Sequence, residues 1–142
     1  CTYSGLARRC MPDKLANVNG TLWLVDLKTT SDTSEAAFAR SCANYGYHRQ
    51  VEFYSDGIEA VHGRRPDRHA FVIVGKEPPH ICRIYTLLDD ETGAGNINER
   101  TAKIEMETGL MDLARCYATG DWRQPGEDEI VGIYLPRYAQ KG

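Results

Sequence analysis

The run LVDLKTT, residues 24–30, sets an acid and a lysine two positions apart at the end of an apolar stretch. Side chains alternate along an extended strand, so Asp26 and Lys28 project from one face with the Leu27 carbonyl between them. A second carboxylate, Asp13, stands upstream beside Pro12 in RCMPDKL. Two carboxylates, a backbone carbonyl and water form a hard oxygen set suited to Mg²⁺, with Mn²⁺ as the alternative ion. Such an ion lowers the pKa of a bound water and offsets charge on a phosphate in its transition state. A neighbouring lysine orients the nucleophile or stabilises that charge. The chemistry within reach is metal-dependent phosphodiester hydrolysis. A strand-end salt bridge between Asp26 and Lys28 would leave the same trace in sequence. Pro12-Asp13 at hairpin distance is what gives the second acid a structural reason to be close.

A further group sits in YHRQVEFY. Tyr47, Gln50 and Tyr54 are spaced three and four apart and share a helical face. Gln50 offers a donor and an acceptor to a phosphate, a water or a base edge, and the two tyrosines can stack on a base or donate to phosphate. The plainer alternative is that the tyrosines pack in the core and Gln50 fills a polar gap. Arg8 and Arg9 precede Asp13, Arg49 adjoins Gln50, and GRRPDRH gathers Arg64, Arg65, Arg68 and His69. All could touch phosphates, although a charged, solvated loop is the better account of the last group. His48, His62 and His80 have no partner at metal-ligand spacing, and GAGN, residues 93–96, reads as a turn.

These residues need elements to hold them. YSGLARRCMPDKL reads as a strand ending in a turn at Pro12-Asp13, Asn19-Gly20 as a two-residue hairpin signal, and TLWLVDLKTT as the returning strand. Ser31, Asp32, Thr33 or Ser34 can cap a helix through SEAAFARSCANYG. A second helix, or a bent continuation past Gly46, carries Tyr47, Val51, Tyr54, Ile58 and Val61 on one stripe, with Gly57 as its weak point. RHAFVIVGKE is a β-branched strand broken at Pro78-Pro79, and HICRIYTLL is its partner. A last helical stripe runs through Ile97, Ile104, Met111, Ala114 and Tyr117, before a tail containing a short extended piece. The order predicts an α/β fold with a mixed central sheet flanked by helices.

At 142 residues and 42% hydrophobic composition, a single domain over 1–142 with a real core is expected. Seventeen basic against twenty acidic side chains, net −3, leave a nucleic-acid surface to local clusters. The five cysteines are scattered without a C-x-x-C pair, as expected of thiols in a reducing cytoplasm. No stretch approaches a membrane span or a secretory signal, which predicts a soluble, cytoplasmic protein.

Taken together, RCMPDKL, WLVDLKTT and NYGYHRQVEFYSDG resemble the PD-(D/E)XK nuclease superfamily, and within it the RecE-type exonuclease (exodeoxyribonuclease VIII) catalytic domain. The closing DWRQPGEDEIVGIYLPRYA is similar to that family's C-terminal end. The resemblance implies a restriction-endonuclease-like core. It makes Asp13 and Asp26 the metal-binding acids, with Leu27 lending its carbonyl and Lys28 as the catalytic lysine. It also aligns Gln50 and Tyr54 with a Q-x-x-x-Y motif beside the active site, and Thr29 and Thr30 with the threonines that follow the lysine. It further implies Mg²⁺-dependent 5′-to-3′ digestion of linear double-stranded DNA in phage or prophage recombination, a homo-oligomeric ring around DNA and a single-strand annealing partner. The family's remaining motif residue, a His or Glu on an upstream helix, has no match here. The chain is therefore expected to be the C-terminal part of a longer bacterial or phage-encoded protein. Two rivals stand beside this reading: a DNA-binding or protein-interaction module that has lost cleavage, and an endonuclease using the same metal site.

Overall fold

Asn19 and Gly20 both adopt positive φ, 51° and 86°, as a two-residue turn between right-twisted strands requires. In the computed structural model, which describes residues 2–3, 5–87 and 97–123, this turn organises the first half of the sheet. Two short strands, β1 (Thr2–Tyr3) and β2 (Leu6–Ala7), pair with each other ahead of it. The turn itself joins β3 (Lys14–Val18) to β4 (Thr21–Thr30). The strand expected to end at Pro12-Asp13 instead begins just after it, because Pro12 has no N–H to give a ladder.

Ser34 is the residue that caps α1 (Glu35–Tyr45), its hydroxyl accepting the Ala37 N–H. Gly46, in the left-handed region at φ 66°, ends α1 and opens α2 (Tyr47–His62). It also lies against the Arg49 guanidinium, so a side chain there meets both a strained backbone and a filled space. Gly57, which weakens α2 by propensity, is buried against the Cys10 sulfur. Close approach explains the glycine at that position.

The chain then forms β5 (Arg68–Gly75) and β6 (Cys82–Tyr85). Sheet order is β3-β4-β5-β6, with β4 and β5 parallel and the outer pairs antiparallel. A parallel pair needs a crossover, and α1 with α2 supplies it. The helices cover the face bearing Leu24, Asp26 and Lys28 from β4 and Phe71 and Ile73 from β5. Phe38 and Cys42 of α1 pack there with Phe71 and Ile73. On the opposite face Leu27 and Ile84 are exposed. This is the mixed α/β sheet with helices that the pattern predicts.

The last helix, α3 (Ile97–Thr119), packs on α2. Its buried residues are Ala102 and Met106, whereas Ile104, Met111 and Tyr117 of the expected stripe are exposed. A small alanine lets two helices approach closely, and apolarity alone did not reveal that face. The expected turn at 93–96 and extended piece in the tail lie outside the described residues. Among the described residues, no helix is long and apolar enough to cross a membrane.

Phe71 is 1% exposed and touches the ring of Phe38 edge-on at 5.4 Å between centroids. Truncating such a side chain leaves a cavity as well as losing its transfer energy. Phe71→Ala is expected to lower unfolding free energy by about 3–5 kcal/mol in urea titration. A change below ~1 kcal/mol would mean that this core is not closed.

Candidate active site

Asp26 lies on the helix-covered face of β4, where its carboxylate is largely out of water. Three side chains close a ring there. Lys28 Nζ stands 2.7 Å from Asp26 Oδ2 and donates to Gln50 Oε1 at 3.0 Å, and Gln50 Nε2 donates to Asp26 Oδ1 at 3.1 Å. The amide of Gln50 thus gives its donor end to the acid and its acceptor end to the ammonium. Lys28 Nζ also sits 4.5 Å above the Tyr47 ring, where the aromatic face attracts the cation.

Burying an ion pair is a poor way to gain stability, since an apolar replacement is often as good or better. Here the pair is also incompletely satisfied. Despite its closeness to Nζ, Asp26 Oδ2 makes no hydrogen bond of acceptable geometry and is inaccessible to water. Its contact with the Lys28 ammonium is that of an ion pair.

Asp13 stands one residue ahead of β3. Its Oδ2 accepts the Leu27 N–H at 2.8 Å. Lys14 pairs with Val25, so the same register carried upstream sets Asp13 level with Asp26 and Pro12 opposite Leu27. A residue in an antiparallel pair turns its N–H and C=O to the same neighbour. The Leu27 carbonyl therefore faces the Pro12 side, where proline has no N–H to offer it. Two carboxylates and a carbonyl would offer hard oxygens of the kind that suit Mg²⁺ or Mn²⁺, ions that retain several waters. Among the described residues, no group of three or more His, Cys, Asp or Glu could hold a metal. The thiolate and imidazole set of a zinc site is accordingly not formed by them.

The other sequence candidates divide. Thr29 and Thr30 line an open cleft beginning at Lys28, and the Thr30 hydroxyl also braces the turn through Asp32. Tyr54 lines a small cavity with Asp26, Gln50 and His69. Tyr47 is half-buried beneath Lys28 and against the core, so it serves the lysine directly. Arg49 is not brought to the site: it pairs with Glu105 of α3 at 3.6 Å. Arg64 donates to the Gly20 carbonyl at the far end of β4, about 26 Å from Lys28 at ~3.3 Å per residue. Arg65 is held by Glu52 and Asp56, and Arg8 pairs with Asp56. Arg8 and Arg65 are thus ion-paired against α2, whereas Arg64 pairs with Asp67 in an exposed loop.

Sequence reading placed His69 among the basic loop residues. The parallel register of β4 with β5 sets it opposite Leu24, beside the Asp26 cavity, with its Nε2 accepting the Leu87 N–H. Only the strand pairing could have revealed that position.

The family described as a PDDEXK-like domain of unknown function (DUF3799) matches residues 2–122 of the chain. No curated protein matches it.

Burial pushes the Cys42 thiol up to about 11, against the opposing pull of the Lys28 charge. At pH 8 about one such thiol in a thousand is ionised. Iodoacetamide treatment of the native protein followed by mass spectrometry is expected to mark the exposed Cys82 and spare Cys42. Equal marking of both would mean that the layer beneath Lys28 opens readily.

Proposed function

The chain belongs to this PDDEXK-like family, and from that premise we propose that it is a divalent-metal-dependent nuclease acting on DNA through Asp13, Asp26 and Lys28. The observation that carries the reading is the Asp26–Lys28–Gln50 ring, a buried acid and an ammonium held by one amide, with Lys28 lining an open cleft. Mg²⁺ held by Asp13, Asp26 and the Leu27 carbonyl would supply Lewis acidity at a phosphate oxygen.

The chain's own groups account for the rest. Asp26 faces the Lys28 ammonium and Tyr47 lies under it, and its N–H groups orient the attacking water or receive charge developing on phosphate. Gln50 fixes the ammonium so that little reorganisation is needed during reaction. Thr29 and Thr30 place hydroxyls along the cleft next to the lysine, within the region a bound strand would occupy. The low polarity around the half-buried Lys28 strengthens each of these interactions.

The ordered motifs favour a RecE-type exonuclease that digests linear duplex from its ends, and the ring assembly and annealing partner belong to that same reading. Asp26→Asn and Lys28→Ala are each expected to reduce Mg²⁺-dependent digestion of linear duplex by at least ~10²-fold with the folded circular-dichroism spectrum retained. Full activity in either folded variant would defeat the catalytic assignment. Covalently closed circular DNA should survive an amount of enzyme that consumes linear DNA. Its cleavage would make the enzyme an endonuclease.

A further inference from the structure

The cleft leading away from Lys28 is open, about 970 Å³, and most of its lining is polar. One wall is α1, which contributes Arg40 and Asn44, one helical turn apart, together with Tyr45. The other wall is the end of β4 together with Lys76. The Lys76 N–H bonds the Thr30 carbonyl at 2.9 Å, which fixes its backbone beside the site. Arg40 and Lys76 share the cleft lining with one carboxylate, Asp32, which is itself engaged by the Ser34 N–H, while Lys28 is paired with Asp26 behind it. Arg40 and Lys76 are exposed, and neither forms a salt bridge among the described residues. Arg49, Arg64 and Arg65, by contrast, are all paired with carboxylates.

A second, independent feature is aromatic. Tyr45 is 71% exposed, yet its ring stacks on Tyr47 at 5.8 Å, and Tyr47 lies directly under the Lys28 ammonium. An exposed ring held by stacking on the tyrosine beneath the lysine, in a cleft that also carries Arg40 and Lys76, has the form of a platform for a base. Paired bases are already stacked within a duplex and cannot use it. An unpaired base can.

We propose that this cleft holds a single nucleic-acid strand, with Arg40 and Lys76 on its phosphates and Tyr45 stacked against a base, delivering the strand to Lys28. The inference rests on the nuclease reading of the Lys28 site. It adds that the end of the substrate enters as a separated strand.

Fluorescence anisotropy with a fluorescein-labelled 15-nucleotide oligothymidylate, in Ca²⁺ in place of Mg²⁺, tests it on the whole chain. Tyr45→Ala is expected to weaken binding about tenfold, with Tyr45→Phe near wild type. Arg40→Ala combined with Lys76→Ala should weaken binding and reduce the slope of log affinity against log salt by about 1.4, as for two lost phosphate contacts. Absence of binding by the parent protein, or unchanged affinity and salt slope in the variants, would overturn the proposed path. It would leave the cleavage tests on Asp26 and Lys28 untouched. Binding lost in the variants by a protein that cleaves no DNA would uphold the path and remove the catalytic reading beneath it.

Discussion

The buried contact of Lys28 with Asp26 and Gln50 is the constraint around which this chain is arranged. Two charges taken out of water cost free energy that their mutual attraction does not fully return. The surrounding core has to supply the difference. Leu24, Phe71 and Ile73, each essentially inaccessible to water, flank the pair along β4 and β5, and each contributes roughly 1.5–3 kcal/mol on burial. The Gln50 amide then matches one partner with its donor and the other with its acceptor. An apolar residue at Gln50 would strand both charges, and that penalty is larger than any gain in packing.

That contact depends in turn on topology. Gln50 is 22 residues from Lys28, and it arrives because parallel pairing of β4 with β5 forces the chain over one face of the sheet. The same crossover puts Tyr47 beneath the lysine and Cys42 and Phe38 beneath that, so the ammonium rests on an aromatic and apolar ledge. At the other edge of β4, a proline interrupts the ladder. Asp13 takes up the Leu27 N–H, and the Leu27 carbonyl is turned toward a residue that cannot donate to it. One strand is thus used on three sides: its face for the acid and lysine, its edge for the carbonyl, and its end for the cleft.

Charge is partitioned with similar economy. Arg64 and Arg65, in the loop that leads into β5, pair with Asp67 and with Glu52 and Asp56, which fasten α2 and that loop to the sheet. Arg49 and His48 meet Glu105 and orient α3 on α2. Along the cleft that leads from Lys28, Arg40 and Lys76 are exposed and Asp32 is the carboxylate that lines it with them. A chain of net charge −3 therefore still presents a locally positive approach to its candidate site, which is what a polyanionic substrate needs.

Local physics was enough to read the Asn19-Gly20 hairpin, the strands around Asp26 and Phe71, the two helices meeting at Gly46 and the shared face of Asp26 and Lys28. Each of these follows from alternation, helical spacing or positive φ over a few residues. The sequence did not disclose where β3 begins, because proline's effect on a ladder shows only once the partner strand is known. It misplaced the buried stripe of α3, since Ala102 is read as interior only when a second helix is seen against it. It left open whether Gln50 and Tyr47 would meet the lysine, and it did not show that Arg8, Arg49 and Arg65 would be taken up by carboxylates of the helices. Those outcomes belong to the tertiary structure because their partners lie tens of residues apart. Only the packing of α2 across β4 and β5 decides which donor meets which acceptor.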